Sequence, residues 1–453
     1  MLATVNLPPA FRRHAVEPLW GRYSGGAMLS EWRALEASQY LPEAALLERQ
    51  SRRLRRLCQF VYAHNAFQRR RFDEAGVRPD AIRSAADLLR LPVLTKSEIR
   101  AAGSRMLTDG FDADELMRAK TGGSTGQPME LLFPEPVSQQ RNAAGRRHLR
   151  WSGWQVGEPL GAVWGNPVFP RTGRERLREW LLSPVIYLDT MSITPQAVLA
   201  FEQQWRSMRP TLLFGHAHSI YLLATMVDEM NVRSIRPRAI VATSMMLPLH
   251  ERVAIERVFG VGVTDQYGCE EVGLIASQCE QRSGLHLNVD HLVVEILRDD
   301  GTPAAPGESG LVVVTDLLNR AMPFIRYRTE DVAEAGTGPC ACGRGLPVIR
   351  SVIGRTADFL VRRDNSRVAG ISLIENTLTR LPGLAQMQIV QETISRIVLR
   401  IVPAADFTDG VRGELVDYFR HTFPGAAVEI ETVGKIPAEP NGKYRFSICR
   451  AAS

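Results

Sequence analysis

A short run of glycine and hydroxyl residues is the first segment whose composition suits the binding of a phosphate group. It consists of Thr121, Gly122, Gly123, Ser124, Thr125 and Gly126. Backbone N–H groups and side-chain hydroxyls at this density can wrap around an anion. The Gly-Lys-Ser/Thr ending of a Walker loop is absent, and a flexible hairpin loop can have the same composition. The segment therefore predicts an anion-binding loop, with a plain hairpin as the alternative.

Two further segments combine an aromatic ring, carboxylates and an arginine in a way that suits a nucleotide. Tyr267 and Gly268 stand at the end of a predicted strand, and Glu271 follows shortly after. A tyrosine ring can stack on a base, and a carboxylate can hold a Mg²⁺ ion that bridges phosphates. Asp331 can accept both hydroxyls of a ribose, and Arg355 can bind a phosphate. The alternatives are a core tyrosine, surface glutamates and a ladder of surface salt bridges.

A lysine near the C-terminus, Lys443, follows the turn-forming residues Pro440, Asn441 and Gly442. A cation on such a turn can be brought in to stabilise negative charge in a transition state. The more common interpretation of a lysine in this context is a solvated tail.

Four soft ligands form a candidate metal set. Cys279 and His286 stand seven positions apart, and Cys340 and Cys342 form a Cys-x-Cys pair further along the chain. Three thiolates and an imidazole satisfy tetrahedral Zn²⁺, and four protein ligands would make the site structural. The alternative is a set of unligated cysteines in loops beside an ordinary histidine.

The composition excludes several classes of protein. The 453 residues are 45% hydrophobic, which is enough for two or three domains and excludes a chain disordered throughout. No apolar run approaches the roughly 18 residues of a membrane-spanning helix, and no signal pattern opens the sequence. Six cysteines without such a signal favour a reducing compartment, and we expect a cytoplasmic protein. The net charge of +6 is a weak excess that suits nucleic acid, an anionic membrane surface or a polyanion such as ATP.

Short strand-like runs alternate with helical stretches in the middle of the chain. Strands are predicted at 163–165, 211–215, 239–243 and 262–267, and helices at 197–208, 218–230 and 248–259. This alternation predicts an α/β fold with a largely parallel sheet covered by helices. Hairpins follow residue 284, and a small α+β pattern begins at residue 356. Residues 1–44 are predicted to be irregular, because paired prolines and paired glycines interrupt any long helix.

In this order, the segments resemble the adenylate-forming superfamily of acyl-CoA synthetases and ligases. The strongest likeness is to its phenylacetate-CoA ligase-like branch, which includes relatives linked to capsule biosynthesis. It covers roughly residues 45–453 and includes the sequences at 69–77 and 91–96. The resemblance implies a large N-terminal domain, 1–355, with parallel and mixed sheets and a β-barrel-like part. A small, mobile α+β domain, 356–453, would follow it.

The resemblance also implies a role for each matching residue. Residues 121–126 would be the phosphate loop, Ser244 would lie in the adenine-contacting loop, and Tyr267 and Gly268 would lie near adenine. The remaining implied roles are Mg²⁺ binding by Glu271, ribose binding by Asp331, ribose or phosphate contact by Arg355, and adenylation chemistry by Lys443. Some members of the branch carry a zinc site like the Cys/His set, and many form dimers, so a homodimer is one expected state.

The acid pocket, by the same resemblance, would be lined by residues such as Trp164, Phe214 and Gly215. The two aromatic rings favour a flat, apolar acid. The leading prediction is therefore ATP-dependent activation of a carboxylic acid, aromatic in class, as an acyl-adenylate. The acyl group would then pass to CoA, and AMP and pyrophosphate would be released.

Three departures from the family pattern motivate an alternative second step. Gln127 stands where a lysine is usual, Glu270 where a hydroxyl residue is frequent, and Ala357 where the hinge often has aspartate, unless Asp358 takes that place. The acceptor in the alternative is an amine, a hydroxyl or a carrier protein. A third hypothesis is a non-catalytic nucleotide-binding or basic interaction protein that grips a polyanion with its arginines at 52–56 and 69–71. Intact Lys443 and Glu271 speak against it, and no nucleic-acid partner is predicted.

Overall fold

The computed structural model describes most of the chain. The described residues are 7–24, 26–120, 129–164, 172–182, 184–190, 193–355, 358–364, 366–378, 380–381, 383–437 and 444–451. The predicted phosphate loop at 121–126 lies outside these ranges, and so do Gln127, Ala357 and Lys443.

Nineteen described strands form four sheets. In chain order they are β1 Met117–Lys120, β2 Glu130–Phe133, β3 Leu160–Trp164, β4 Val185–Asp189, β5 Leu212–His216, β6 Ala239–Thr243, β7 Val263–Cys269, β8 Gly273–Gln278, β9 Leu285–Leu287, β10 Leu292–Leu297, β11 Ser309–Asp316, β12 Tyr327–Ala335, β13 Val348–Arg355, β14 Phe359–Val361, β15 Arg367–Ala369, β16 Leu384–Thr393, β17 Arg396–Pro403, β18 Ala427–Thr432 and β19 Ser447–Cys449. The main sheet has eleven of them, in the order β10-β11-β12-β13-β9-β8-β7-β6-β5-β3-β4.

The main sheet has a parallel half and an antiparallel half. The strands from β4 to β7 pair in parallel, as the alternation of strands and helices predicts. From β7 to β10 all neighbours are antiparallel. The strands expected to form a barrel-like part therefore continue the same sheet.

Helices cover the parallel half because their apolar faces are buried against it. Ile220 and Ile255, from two of these helices, pack in one buried cluster with Val163, Ile240 and Val263 of the strands. The longer α-helices are Glu17–Ser24, Met28–Ser38, Glu43–His64, Ala66–Glu74, Lys96–Ala102, Glu135–Trp151, Gly173–Leu182, Pro195–Met208, Ala217–Glu229, Leu249–Phe259, Gly370–Leu378 and Asp409–Thr422. Short 3₁₀ turns lie at Pro79–Ala81, Ala85–Arg90 and Gly103–Met106. Within the described ranges, none of these helices has both the length and the apolar character needed to cross a membrane.

The prediction that residues 1–44 are irregular is wrong for the described part. Helical residues run from Pro9 to Ser24 and again over Met28–Ser38. Pro9 is the first residue of its helix, where the missing N–H has no intrahelical partner to lose. Tertiary packing also contributes, since Arg12 is buried and donates to the carbonyl of Gly157.

The C-terminal part has its own four-stranded sheet, ordered β18-β17-β16-β19. Leu399, Phe419 and Ile374 belong to a buried cluster made only of residues from this part. Helix Gly370–Leu378 also contacts helix Leu249–Phe259 of the larger part. The expected division between 355 and 356 stays a prediction.

Candidate active site

A cavity of about 630 Å³ lies at the carboxyl ends of β3, β5, β6 and β7. In parallel α/β sheets this edge is where ligands bind. Residues 444–447 of the C-terminal part form another portion of its wall. Most described residues of the predicted site line this one cavity, namely Trp164, Phe214, Ser244, Tyr267, Gly268, Glu271, Asp331 and Arg355.

The predicted phosphate loop is flanked by strands that reach the same cavity. β1 and β2 pair antiparallel, with Lys120 opposite Glu130. Ala119 of β1 and Phe133 of β2 line the cavity wall. Residues 121–126 are therefore bounded on both sides by strands that contribute to the wall of the cavity.

Asp331 is held between a tyrosine and an arginine. Tyr267 Oη donates to Asp331 Oδ2 at 2.7 Å, and Arg355 Nε lies 3.4 Å from Asp331 Oδ1. The arrangement follows from strand register, because Asp331 of β12 stands directly opposite Arg355 of β13. Burial raises the pKa of Asp331 even though the guanidinium of Arg355 acts to lower it. Glu330, just before it, has a φ of 69°, which is an uncommon conformation outside glycine and typical of functional sites.

Glu271 is buried beside a lysine that the sequence analysis did not assign. Lys96 Nζ lies 3.6 Å from Glu271 Oε1 and 3.7 Å from Glu330 Oε2. Tyr327 Oη donates to the same Oε1 of Glu271 at 2.7 Å. The predicted magnesium ligand is therefore a carboxylate that already has one cation and one hydroxyl donor.

Lys96 is brought to the site by an isolated bridge that Leu94 makes with Tyr327 of β12. It opens helix Lys96–Ala102, which Thr95 and Glu98 cap reciprocally. Leu94 N donates to Arg326 O, and Arg328 N donates to Leu94 O, which fixes this segment beside β12. The sequence at 91–96 was part of the family likeness, and that was the only signal that could have pointed to the lysine.

Arg141 fixes the backbone at Glu271. Its Nη2 donates to the carbonyl oxygen of Glu271 and to Asp316 Oδ2, both at 2.8 Å. Arg141 also lines the cavity, whereas the Asp316 side chain is fully buried. This arginine is a second site residue that the sequence analysis missed.

The predicted acid pocket has an aromatic wall. The rings of Trp164 and Phe214 stack at 5.6 Å with an angle of 9°, and the His216 ring lies 4.2 Å from Trp164. Gly215 is not among the residues that line the cavity. A Cβ there would lie 2.3 Å from the carbonyl oxygen of Val163, so the position needs glycine for strand packing.

Two other pocket residues show local strain or an unmet hydrogen bond. Ser244, at the end of β6, has a φ of 65°. The Nε2 atom of Gln266 is buried and has no hydrogen-bond partner among the described residues. Unpaired buried donors are uncommon in folded proteins, and they mark places where a ligand or water can contribute the acceptor.

The four predicted zinc ligands meet at one point. Their ligand atoms all lie within 4.8 Å of one another, with Cys279 Sγ and Cys340 Sγ 3.6 Å apart and Cys342 Sγ and His286 Nε2 3.3 Å apart. Bonds of about 2.3 Å to a tetrahedral zinc place ligand atoms just under 4 Å apart, so the residues fit the ion. His286 Nδ1 lies 3.0 Å from Leu346 O, which leaves Nε2 directed at the thiols.

Comparison with known proteins finds acyl-CoA ligases and a CapK domain. The family described as "CapK C-terminal domain" matches residues 360–450. The chain is 28% identical to a phenylacetate-coenzyme A ligase of Thermus thermophilus over 71% of this chain and 73% of that protein. It is 23% identical to protein CapK of Staphylococcus aureus over 81% of each chain. A crystal structure of 2-hydroxyisobutyryl-CoA ligase in its post-adenylation state superposes with a TM-score of 0.74 at 20% identity, covering 91% of each chain.

These matches extend over both parts of the chain, and the order of the motifs agrees with them. Over most of its length the chain is similar to phenylacetate-coenzyme A ligases and to protein CapK, and it shares the fold of an acyl-CoA ligase.

Proposed function

We propose that this protein uses ATP to activate a carboxylic acid as an acyl-adenylate and transfers the acyl group to CoA, with release of AMP and pyrophosphate. The observation that carries the proposal is the set of side chains that line one cavity. It holds Glu271, the Tyr267–Asp331–Arg355 cluster and the aromatic pair of Trp164 and Phe214. Matched phenylacetate-coenzyme A ligases support the same reaction.

The side chains suit the parts of an acyl-adenylate. Asp331, oriented by Tyr267, has carboxylate oxygens that can accept from the two ribose hydroxyls. Arg355 supplies a guanidinium beside the same group for the ribose or the α-phosphate. Glu271 is the residue that would hold Mg²⁺, whose role is to neutralise phosphate charge.

The chemical step needs positioning and charge stabilisation more than covalent catalysis. Attack of the acid on the α-phosphate forms an acyl–phosphate bond and breaks the bond to pyrophosphate. Donors and cations aimed at the developing negative charge then lower the barrier. We assign the cationic role to Lys443, on the family resemblance, and place the hinge between the two parts near 355–358.

We also propose that Cys279, His286, Cys340 and Cys342 bind a structural zinc ion. The ion would add to the contacts between the segment after β8 and the turn before β13, which include the ion pair of Glu280 with Arg344 and the pairing of Val348 with His286. Purified protein should contain about one zinc per chain when it is measured by plasma mass spectrometry.

The test of the activity is pyrophosphate release across a panel of aromatic acids, with hydroxylamine as the trap for acyl-adenylate. Lys443→Ala should abolish the signal, and Lys435→Ala, at an exposed position in the same part, should retain it. No signal with any acid, or equal signals in the two variants, would refute the proposal.

The second candidate differs only in the acceptor. The sequence departures at Gln127, Glu270 and Ala357, together with the resemblance to capsule-linked relatives, motivate an amine, hydroxyl or carrier protein as acceptor in place of CoA. Assays with and without CoA, supplemented with candidate amines, separate the two. A thioester product supports CoA as acceptor, and an amide that forms without CoA supports the alternative.

A further inference from the structure

A buried histidine–glutamate pair lies where the larger part meets the C-terminal part. His218, in the first turn of helix Ala217–Glu229, and Glu251, in the first turn of helix Leu249–Phe259, are 2.5 Å apart between Nδ1 and Oε1. Their side chains are only 6% and 1% exposed. The other carboxylate oxygen of Glu251 is buried and has no partner among the described residues.

Two aromatic rings of the C-terminal part cover this pair. The Tyr444 ring lies edge-on to the His218 ring at 4.4 Å, and the Phe446 ring does so at 5.4 Å. Tyr444 is 8% exposed and directly follows Lys443 in the chain. The first described residue after the predicted catalytic lysine is therefore packed on the larger part through His218.

The same segment is anchored on its other side to the C-terminal part. Arg445 Nη2 lies 3.3 Å from Asp358 Oδ1, and Ser447 Oγ donates to the carbonyl oxygen of Asp358 at 2.7 Å. The contacts with Asp358 lie within the C-terminal part, so a rotation of that part retains them. The contact of Tyr444 with His218 lies between the two parts, so the same rotation breaks it.

We propose that His218 and Glu251 are positioning residues for the adenylation half-reaction. Glu251 fixes the ring of His218, His218 seats Tyr444, and the seated segment places Lys443. The contact is released when the C-terminal part rotates for the second half-reaction. This inference rests on the proposed function, because it presumes two half-reactions served by two arrangements of the same parts.

The test compares the two half-reactions in His218→Leu and Tyr444→Leu. Adenylation, followed by pyrophosphate release with hydroxylamine, should fall about tenfold in kcat, since one edge-to-face ring pair contributes up to about that factor. Thioester formation from supplied acyl-adenylate and CoA should stay within about twofold. The double variant should lose no more than either single variant, because both remove the same contact.

Glu251→Gln retains an oxygen acceptor for His218 and should keep most of the adenylation rate. His421→Leu, at an exposed position of helix Asp409–Thr422, is the matched control and should leave both half-reactions unchanged. Equal losses in both half-reactions, additive losses in the double variant, or no loss in His218→Leu would overturn the proposal.

A readout without turnover separates this inference from the proposed function. Backbone amides of residues 444–447 should exchange hydrogen at least about threefold faster in His218→Leu than in the wild type, because the seat of Tyr444 is lost. If the wild-type protein shows neither half-reaction, the proposed function fails and the role in adenylation fails with it. In that case, faster exchange in His218→Leu would still support the contact between Tyr444 and His218, although not its role in adenylation. Unchanged exchange would refute the contact as well.

Discussion

Replacement of Lys96 by methionine tests how much the ion pair between Lys96 and Glu271 contributes to stability and whether it competes with magnesium. The lysine Nζ lies 3.6 Å from Glu271 Oε1 and 3.7 Å from Glu330 Oε2, and its side chain is 15% exposed. Methionine has a similar length and an apolar end, so the substitution removes the charge and retains most of the packing. It leaves Glu271, which is 6% exposed, without its lysine partner, while the hydroxyl of Tyr327 still donates to it.

The expected effect follows from the geometry. At 3.6 Å and an effective dielectric constant of about 20, the attraction between unit charges is about 4.6 kcal/mol. Desolvation of the lysine offsets part of it, and the hydroxyl of Tyr327 continues to stabilise the carboxylate. Glu330 is 33% exposed, so solvent screens the second pair. We expect Lys96→Met to lower the free energy of unfolding by about 2 kcal/mol at neutral pH.

Magnesium gives the substitution a second readout. If Glu271 binds Mg²⁺, the wild-type lysine competes with the ion for the same carboxylate, and the variant removes this competing cation. Millimolar Mg²⁺ without nucleotide should therefore raise the melting temperature of Lys96→Met more than that of the wild type. Lys435→Met, at an exposed position, is the control.

Two results would refute this reasoning. A stability loss no larger than that of Lys435→Met would mean that the ion pair contributes no net free energy. An equal magnesium response in wild type and Lys96→Met would mean that Glu271 is not the carboxylate that the lysine shields.

Three further predictions concern the zinc set and the pocket. Cys342→Ser should reduce bound zinc from about one per chain to a small fraction and lower the melting temperature, whereas Cys449→Ser should retain the metal; full zinc in Cys342→Ser would contradict the site. Burial raises the pKa of Asp265 to about 6, so its folded carboxyl favours the protonated form and the wild type loses stability as the pH rises from about 4 to about 6. At about 1.4 kcal/mol per pH unit, Asp265→Asn should be more stable than the wild type by up to about 3 kcal/mol above pH 6 and nearly equal to it at pH 4, and melting curves at both pH values check the sign. Gln266→Leu removes a buried amide with no described partner for Nε2 and should raise stability by about 1 kcal/mol in thermal unfolding, whereas a clear loss would indicate that the amide is already paired.

Motif order allowed most described residues of the candidate site, which line one cavity, to be predicted from the sequence. Tyr267 was found because an aromatic residue and a glycine end a recognisable strand, and Asp331 because its segment stands in the order of the family motifs and a carboxylate can accept both hydroxyls of a ribose. Their mutual hydrogen bond depends on the position of β12 in the sheet, which no local pattern encodes. The pairing of Asp331 with Arg355 likewise follows from the register of β12 against β13.

The metal set was predictable for a different reason. Cysteine and histidine are scarce in this chain, with 6 and 9 residues, so a Cys-x-Cys pair with a second Cys/His pair stands out from the background. Lys96 and His218 do not stand out from the surrounding sequence in this way. Each lies in the first turn of a helix, with no unusual neighbours, and acquires its role only when a distant carboxylate packs against it.

The charge of the cavity changes the interpretation of the basic composition. The net charge of +6 suggested a general suitability for ATP, but the described lining is not basic. It combines five carboxylates with four cations: Asp265, Glu270, Glu271, Asp331 and Asp358 against Lys96, Arg141, Arg355 and Arg445. Because most of these groups are paired with one another, a triphosphate would meet little free positive charge in the described lining. Under the proposed function its charge would be met by Mg²⁺ on Glu271, by donors of 121–126 and by Lys443, so ATP binding should depend steeply on magnesium and only weakly on the net charge of the protein surface.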